Sequence, residues 1–387
     1  MAGNAATSRL KVLVLCYEYP PLGGGGGRVA KSIAEKLAER GHKVRVQTAG
    51  MPHLPAHEVA EGVGVFRTRA FRQREDRCSV PEMGLFVVTS LLPTLRHIRT
   101  WRPDVIHAHF AVPTGALAFA ASLLTGVPYV LTVHLGDVPG GFPEQTDALF
   151  RVVKPFTVPI WRRAAAISAV SGHVRDLAVK AYGREVMKIL NGIELRPAAE
   201  AAAIRVSQPR HLLFAGRFVS QKNVPLIVDA LAELRDGSWR ATLIGDGPTM
   251  PEVHERVNAH GLGDRVTLPG WLQGAAVEEA MAGGDIFLIP STNEGLPVAA
   301  VQALRHGLAI VGTDIGGLRD VIEPERNGLV VPVGDASALA RALSRLFREE
   351  ATLLAMKAAS LERARLFDLD VIATQYENLL ATAARGP

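Results

Sequence analysis

Residues 11–48 read KVLVLCYEYPPLGGGGGRVAKSIAEKLAERGHKVRVQT, and this stretch predicts the first building block of the fold. Lys11–Tyr17 is a near-continuous apolar run, as a parallel strand buried on both faces requires. Arg28–Arg40 repeats apolar residues at helical spacing, and Gly41 is placed to end that helix. Lys43–Thr48 is a second β-branched run. The order strand, helix, strand predicts a parallel β-α-β unit.

The same alternation continues along the chain. In the first half we predict a helix over Leu85–Arg99 and further strands at Val63–Arg67, Asp104–His109, Tyr129–Val133, Ala165–Val170 and Lys188–Leu190. In the second half the predicted strands are His211–Phe214, Arg240–Ile244, Val266–Leu268, Ile286–Ile289, Ala309–Gly312 and Gly328–Val331. We therefore expect an α/β fold with two Rossmann-like, doubly wound domains facing a crevice.

The alternation of predicted strands and helices is interrupted near the middle of the chain. Residues 196–206 contain Pro197 and an alanine-rich run, which we interpret as a linker between domain 1–195 and domain 207–366. Residues 367–387 carry apolar side chains at helical spacing. We expect this terminal helix to pack back on the first domain.

Composition describes a globular protein. The chain has 387 residues, of which 48% are hydrophobic and 21% charged, so two domains are the natural expectation. Two cysteines exclude a disulfide framework and suit a reducing cytoplasm. The first residues lack the apolar segment of a secretory signal. Residues 110–136 carry no charged side chain, but two prolines and a glycine break the run, so we expect a buried helix and strand rather than a membrane span.

Positive charge is concentrated in the first half. Residues 1–195 hold 24 basic and 15 acidic residues, whereas residues 196–387 hold 19 and 23. Five arginines fall within eleven residues, namely Arg67, Arg69, Arg72, Arg74 and Arg77, and Arg162 and Arg163 follow Trp161. This pattern is typical either of a solvated basic face or of contact with anionic lipid headgroups or a phosphate-bearing acceptor. These arginines belong to no recognisable nucleic-acid-binding module, which disfavours nucleic acid.

Five glycines, Gly23–Gly27, separate the first strand from the first helix. Glycine lets backbone N–H groups approach an anion closely, and a helix N-terminus favours negative charge. We interpret Gly24 and Gly25 as phosphate or sugar contacts, although a flexible loop has the same composition. A dinucleotide fold normally ends its second strand with an acid, and Lys43–Thr48 has none, which disfavours NAD. We expect no cofactor.

Two cations follow the strand His211–Phe214. Arg217 and Lys222 lie between Gly216 and Asn223, which we predict to cap a helix. Such residues can be solvated loop charges. Held together, however, they would neutralise a diphosphate leaving group without a metal ion. We expect no metal.

A carboxylate precedes a helix later in the chain. Glu294 follows the strand Ile286–Ser291, and Pro297 marks the first turn of the next helix. One interpretation is a glutamate that stabilises the helix dipole by about 0.5 kcal/mol. The other is a carboxylate that accepts hydrogen bonds from sugar hydroxyls, with the Gly295 and Leu296 amides beside it. With the two cations, this pattern indicates transfer of a sugar from a nucleotide.

The full set of motifs resembles the retaining glycosyltransferases of family 4, which have the GT-B fold. The matching segments cover nearly the whole chain: Asp104–His109, Val133–Asp137, Asn191–Ile193, Gly216–Asn223, Leu243–Pro248 and Glu294–Gln302. The combination is specific for the family, but it does not specify the sugar or the acceptor.

On the donor side, the resemblance implies that Arg217 and Lys222 hold the diphosphate and that Glu294 holds the sugar. It places two segments, Ile244–Gly247 and Gly270–Leu272, around the base. Within them, Gly245, Gly270 and Leu272 are the predicted binding residues. In one place the chain departs from the family, because Gln302 replaces the second glutamate that usually binds the ribose. An amide can still accept from a hydroxyl but lacks the strength of a charge-assisted bond, so we expect weaker nucleotide affinity.

On the acceptor side, the resemblance makes the glycine loop a contact for phosphate and acceptor and places His134 near the reacting centre. His134 can also be a core histidine at a strand end, and Asp137 either an acceptor contact or a helix cap. Asn191 belongs to a matching segment and is taken as substrate-binding. His107 and His109 are expected to support the site from behind.

These expectations amount to a cytoplasmic, metal-independent, retaining glycosyltransferase. Its donor would be UDP-, GDP- or ADP-linked, and its acceptor a hydroxyl of a carbohydrate or lipid-linked glycan in polysaccharide or glycolipid assembly, with peripheral binding at the inner membrane face. Rival hypotheses are an epimerase or phosphorylase of similar fold, a non-catalytic sugar-nucleotide-binding protein, and, disfavoured, an NAD oxidoreductase.

Overall fold

The computed structural model describes residues 9–75, 78–141, 143–195, 204–234, 238–272 and 274–386. The chain divides into two compact units. Unit 1 comprises the residues up to Gly192 together with those from Leu369 onward, and unit 2 comprises Ile193–Asp368. Most of the predicted linker, residues 196–203, lies outside the described residues.

Unit 1 is built on one eight-stranded sheet. Its strands are β1 (Lys11–Leu15), β2 (Lys43–Gly50), β3 (His57–Ala60), β4 (Val63–Arg69), β5 (Val105–His109), β6 (Tyr129–Val133), β7 (Ala166–Ala169) and β8 (Met187–Lys188). The strand order is β3-β4-β2-β1-β5-β6-β7-β8, and β3 alone pairs antiparallel. All five residues of β5 and of β6 are buried, which explains why most of them are apolar, although His107, His109 and Thr132 are buried as well.

The helices of unit 1 are α1 (Gly25–Glu39), α2 (Val80–Trp101), α3 (Ala116–Thr125), α4 (Pro143–Arg163), α5 (Gly172–Tyr182) and the terminal α12 (Leu369–Arg385). Two of them begin earlier than predicted. Helix α1 starts three residues before Arg28, so Gly25 lies in its first turn. Helix α2 starts five residues before Leu85, at a capping box in which Glu82 accepts from the Ser79 backbone N–H at 2.6 Å.

The terminal helix is held on unit 1 by charged contacts. Arg40, at the end of α1, donates to Glu377 at 2.7 Å and to Asp370 at 3.0 Å. His42 Nε2 lies 3.0 Å from the other oxygen of Glu377. The segment that ends the first predicted helix therefore also binds the last helix of the chain.

Unit 2 has a six-stranded, fully parallel sheet in the order β11-β10-β9-β12-β13-β14. Its strands are β9 (Arg210–Ala215), β10 (Trp239–Ile244), β11 (Val266–Thr267), β12 (Ile286–Ile289), β13 (Ala309–Thr313) and β14 (Gly328–Val331). Its helices are α6 (Val224–Ala232), α7 (Met250–Ala259), α8 (Ala275–Ala282), α9 (Val298–Arg305), α10 (Ala336–Arg348) and α11 (Glu350–Ala364).

In each sheet there is one pair of neighbouring strands at which the strand order reverses, so that successive connections run towards opposite edges of the sheet. In unit 1 this switch point lies between β1 and β5, and in unit 2 between β9 and β12. Loops that leave the carboxyl ends of such neighbouring strands diverge and form a binding crevice. The glycine loop leaves β1, the two predicted cations follow β9, and Glu294 follows β12. Strand order alone therefore brings the predicted residues to the edges where ligands bind.

Candidate active-site residues of the two units

The loop after β9 carries the two predicted cations and is fastened to the end of β10. The Gly216 N–H donates to Ile244 O at 3.0 Å, and the Phe218 N–H donates to Asp246 O at 2.8 Å. Arg217 lies between these two anchors, and Lys222 ends a short 3-10 turn, Ser220–Lys222. Asn223 is the N-cap residue of α6 as predicted, although its side chain makes no capping hydrogen bond. Its left-handed backbone, at φ 48°, reverses the chain into the helix.

Lys222 and Glu294 meet at the switch point of unit 2. Lys222 Nζ donates to Glu294 Oε1 at 2.5 Å, and Ser291 Oγ donates to the same oxygen at 2.7 Å. Glu294 is only 6% exposed. A buried carboxylate needs such partners, because removing a charge from water is costly. The structure thus joins two residues that stand 72 positions apart.

Further residues, which the sequence did not single out, hold this pair in place. Gln221 Nε2 donates to Asn293 O at 2.6 Å, and Thr313 Oγ1 donates to Ser291 O at 2.5 Å. Gly317 packs directly on the backbone of Glu294, where any Cβ atom would clash with the carbonyl group. A glycine pair after the strand β13 is the sequence signal that could have revealed this contact.

The predicted base-side residues follow the neighbouring strands. A Cβ atom at Gly245 would clash with Gly216 O, and Gly245 adopts φ 145°, so only glycine fits between the two loops. The Gly245 N–H donates to Gly270 O at 2.9 Å. Gly270 has open space where a side chain would project, and Leu272 is half-buried. These three predicted residues therefore cluster beyond β10, next to the loop that carries Arg217.

Gln302 lies inside α9, whereas Glu294 lies in the preceding loop. The helix begins at Val298, with Pro297 as its N-terminal flanking residue. Gly295 is half-buried and Leu296 is buried between Glu294 and the helix. The Gln302 side chain is half-buried in the second turn of α9.

In unit 1 the glycine loop runs into the first turn of α1. Gly24 flanks the helix and has no neighbour within 4 Å of a hypothetical Cβ atom, and Gly25 is the first helical residue. Gly27 instead packs against the carbonyl group of Glu18, where any side chain would clash. The loop therefore combines an open helix N-terminus with one glycine that is required for packing.

His134 follows β6 and stacks on an aromatic residue that the sequence analysis did not select. The rings of Phe110 and His134 are 4.3 Å apart at an angle of 26°. A Cβ atom at Gly26 would lie 2.6 Å from Phe110 Cζ and 3.2 Å from His134 Cε1, so the glycine loop touches both rings. Phe110 adopts φ 73°, which bulky residues rarely do. Burial lowers the pKa of His134 to about 4, so its imidazole is neutral at pH 7.

Asp137 acts as a cap. Its carboxylate accepts from the His134 N–H at 2.8 Å and from the Ala111 N–H at 2.7 Å, and so fastens the turns that follow β5 and β6. Burial outweighs these bonds and raises the pKa of Asp137 to about 7. These contacts are those of a cap, one of the two interpretations left open by the sequence, and the acceptor contact stays a prediction.

His107 and His109 lie behind His134 in the interior of unit 1. Their rings are 4.3 Å apart, and the rings of His109 and His134 are 5.9 Å apart. His107 Nε2 lies 2.8 Å from Thr132 Oγ1. Burial lowers the pKa of His107 to about 3 and that of His109 well below its usual range. The three histidines therefore form a neutral row, buried at His107 and His109 and half-buried at His134, that leads to the glycine loop.

Other residues singled out from the sequence are buried or paired within unit 1, and the substrate-binding role of Asn191 stays a prediction. Asn191 is buried in unit 1, beside Gly192, which packs on Leu369. Arg67 is paired with Glu58 at 2.5 Å, and Arg72 is buried and donates to Tyr17 O at 3.2 Å. These two arginines are thus not part of a solvated basic face, and Arg77 lies outside the described residues.

The part of the chain that the structure describes offers neither a cluster of metal ligands nor a membrane-spanning helix. It contains no group of three or more His, Cys, Asp or Glu side chains that could hold a metal ion. The sequence Asp368-Leu369-Asp370 lies at the start of α12, where Asp370 pairs with Arg40 and Lys36. None of the described helices is both long and apolar enough to cross a membrane.

Comparison with known proteins identifies the family. Residues 23–196 match the model of Glycosyltransferase Family 4, and residues 209–349 match that of Glycosyl transferases group 1. A 2-deoxystreptamine N-acetyl-D-glucosaminyltransferase from Streptomyces fradiae is 30% identical over 352 residues, which are 84% of this chain and 82% of the relative. The chain belongs to the family 4, group 1 glycosyltransferases.

More distant relatives and solved structures are similar over nearly their whole length. A phosphatidyl-myo-inositol mannosyltransferase from Mycobacterium leprae is 26% identical and covers 97% of both chains. The solved structure of sucrose-phosphate synthase from Thermosynechococcus elongatus has a TM-score of 0.81 at 22% identity and covers 96% of this chain and 98% of its own. The predicted GT-B fold, with two parallel-sheet Rossmann-like units, is thereby confirmed.

Proposed function

We propose that this glycosyltransferase transfers a sugar from a UDP-, GDP- or ADP-linked donor to a hydroxyl acceptor, with retention of anomeric configuration and without a metal ion. The proposed role is the assembly of a polysaccharide or glycolipid. The observation that carries the proposal is the Lys222–Glu294 pair at the switch point of unit 2, with Arg217 in the same loop as the lysine. Such an arrangement offers positive charge to a diphosphate and a carboxylate to a sugar.

In the proposed donor site, Arg217 and Lys222 stabilise the negative charge that develops on the diphosphate as the bond to the sugar breaks. Lys222 and Ser291 both donate to Oε1 of Glu294, which leaves Oε2 to accept from a sugar hydroxyl.

The Gly295 and Leu296 segment contacts the sugar, and Gln302 binds the ribose. Gly245, Gly270 and Leu272 surround the base.

In the proposed acceptor site, Gly24 and Gly25 present a helix N-terminus to phosphate or acceptor groups. His134 exchanges hydrogen bonds with the substrates as a neutral imidazole, since its pKa is lowered to about 4. The leaving phosphate takes the proton of the acceptor hydroxyl as that oxygen attacks the anomeric carbon from the same face. Attack from the face of the departing group gives retention.

Thermal-shift screening tests the donor site directly. We expect UDP, GDP or ADP, or one of their sugars, to raise the melting temperature of the wild type, and the shift to be lost in Arg217→Ala. Arg341→Ala is the matched control, because Arg341 is an exposed arginine on α10 of unit 2. Its ion pair with Asp335 is long, at 4.0 Å. Loss of the shift in both variants, or in neither, would contradict the proposed site.

Product analysis tests the reaction. With the donor found by screening, retention predicts a product whose anomeric configuration, measured by NMR, equals that of the donor, with turnover unchanged by a chelator. An inverted product would refute retention, and turnover lost on chelation would refute metal independence. Epimerised donor without acceptor consumption would indicate the epimerase alternative, and tight binding without turnover over many acceptors a non-catalytic binding protein.

We further propose that the protein works in the cytoplasm and binds peripherally to the inner membrane face. The excess of basic residues in 1–195 supports this proposal. The name of the mycobacterial mannosyltransferase also suggests that a related fold can act on a lipid-bearing acceptor. Arg67 and Arg72 cannot supply the attraction, since both are engaged within unit 1.

A further inference from the structure

Helix α2 has an inverted pattern of exposure. Its buried side contains two polar residues, Ser90 and Thr94, together with Phe86 and Ile98. Its outer side carries Val88, which is 73% exposed, and Leu92, which is 72% exposed. A surface helix normally places its polar residues outward. Apolar side chains on the solvent side of a long helix therefore suggest a non-aqueous neighbour.

The apolar surface continues over two neighbouring helices. Helix α3 packs on both α2 and α4. All three helices follow crossovers that progress in the same direction along the sheet, so they cover one face of it, whereas α1 and α12 cover the other. The exposed apolar side chains of this surface, here called the α2–α4 face, are Leu85, Val88, Leu92, Leu123, Leu124 and Phe156.

Cations predominate among the described charged residues near these side chains, and the one acidic residue of α2, Glu82, is held in its capping box. Arg96 and Arg99 extend the exposed stripe of α2 towards its end, and Lys154, Arg162 and Arg163 lie on α4. The segments 83–101, 116–125 and 153–163 contain no aspartate or glutamate. An apolar surface with an excess of cations is complementary to acyl chains beneath anionic headgroups.

We propose that the α2–α4 face is the surface by which this protein binds an anionic lipid bilayer. This inference deepens the membrane association proposed above, but vesicle binding can be measured independently of glycosyl transfer. A second copy of the chain fits the same surface poorly, because a two-fold contact would set its arginines against one another without an acidic partner. A bilayer supplies both the apolar layer and the negative charge.

A groove adjoins this face at the outer side of α2. It has a volume of about 640 Å³ and is lined by Phe66, Leu92, Pro93 and His97, with Arg96 and Arg99 also at its wall. Burial, followed by the charge of Arg45, lowers the pKa of His97 to about 4, so this residue adds no charge at pH 7. The groove gives an acyl chain an apolar recess directly beside two cations.

Cosedimentation of the full chain with vesicles tests the proposal. Wild-type protein should pellet with phosphatidylcholine vesicles that contain phosphatidylglycerol, and much less with phosphatidylcholine alone. Val88→Ser with Leu92→Ser should weaken partitioning roughly thirtyfold if half of the lost apolar area leaves water on binding. Arg96→Gln with Arg99→Gln should weaken it by a similar factor at low salt and by less at high salt.

The matched control is Leu366→Ser with Val371→Ser, which removes the same two residue types outside the α2–α4 face, at sites that are 51% and 49% exposed. This control should pellet like the wild type. Unchanged partitioning of both α2 variants would overturn the proposal. A change of oligomeric state in the serine variant, measured by light scattering without vesicles, would instead assign the face to self-association. Because the replaced side chains are exposed, thermal melting should stay near that of the wild type.

Discussion

Replacement of Lys222 by alanine probes the donor site at its central contact. In the wild type, Lys222 Nζ lies 2.5 Å from Glu294 Oε1, and the side chains are 23% and 7% exposed. The substitution removes one cation from the proposed diphosphate site. It also leaves the buried Glu294 carboxylate with Ser291 as its remaining described partner. Two separate losses should follow, one in nucleotide binding and one in stability.

The expected size of each loss comes from this geometry. A hydrogen bond to a charged group contributes about 1.5–3 kcal/mol, which corresponds to a roughly tenfold to 150-fold weaker nucleotide dissociation constant. Leaving a buried polar group without its partner costs about 1–3 kcal/mol of unfolding free energy. Because Lys222 is partly exposed, we expect the stability loss to be at the lower end of that range.

Isothermal titration calorimetry with the nucleoside diphosphate found by screening measures the first loss, and urea unfolding measures the second. The double variant Lys222→Ala with Glu294→Gln separates the two effects. It should recover most of the stability, because a neutral amide no longer needs a cation, but none of the affinity. If Lys222→Ala binds the nucleotide as tightly as the wild type, Lys222 does not contact the diphosphate and the reasoning fails.

Two further predictions concern the ribose contact and the buried histidines. Gln302→Glu should tighten nucleotide binding, because a carboxylate accepts a stronger hydrogen bond than an amide; an unchanged dissociation constant in calorimetry would contradict this. Lowering the pH from 7 to 5 should destabilise the protein towards urea, since His107, His109 and His134 remain neutral when folded but protonate below pH 6.5 when unfolded. Each such histidine lowers the free energy of unfolding by about 1.4 kcal/mol for each pH unit below 6.5. Asp137 opposes about one histidine's share of this loss, because its raised pKa lets the folded protein take up a proton over the same pH range. Stability that does not change over this range would refute the buried, neutral state of the histidines.

The elements that the sequence predicted well share one physical property. Strands β5 and β6 are buried on both faces, so most of their residues are apolar, and the exceptions, His107, His109 and Thr132, did not hide the strand pattern in the chain. Strand β3 was missed, because an exposed edge strand of four residues needs no such pattern. The start of α2 was missed for the opposite reason. Its outward side chains are apolar and its buried side is half polar, which hides the helical period.

The candidate site shows the same division. Arg217, Lys222 and Glu294 could be selected from sequence, because charged residues directly after buried strands have no role in the core. Gly317, Ser291 and Phe110 were not selected. Their importance comes from contacts that form in the folded chain, and the adjacent sequence contains no pattern that indicates those contacts.

The sequence by itself determined the alternation of elements, the family, and the residue types that stand at each strand end. Only the tertiary structure decided which of those ends are neighbours. Lys222 meets Glu294 because β9 lies beside β12, and Gly26 touches His134 because the loop after β1 lies near those after β5 and β6. Strand order depends on how helices and loops pack across the whole sheet, and local apolar patterns do not encode it.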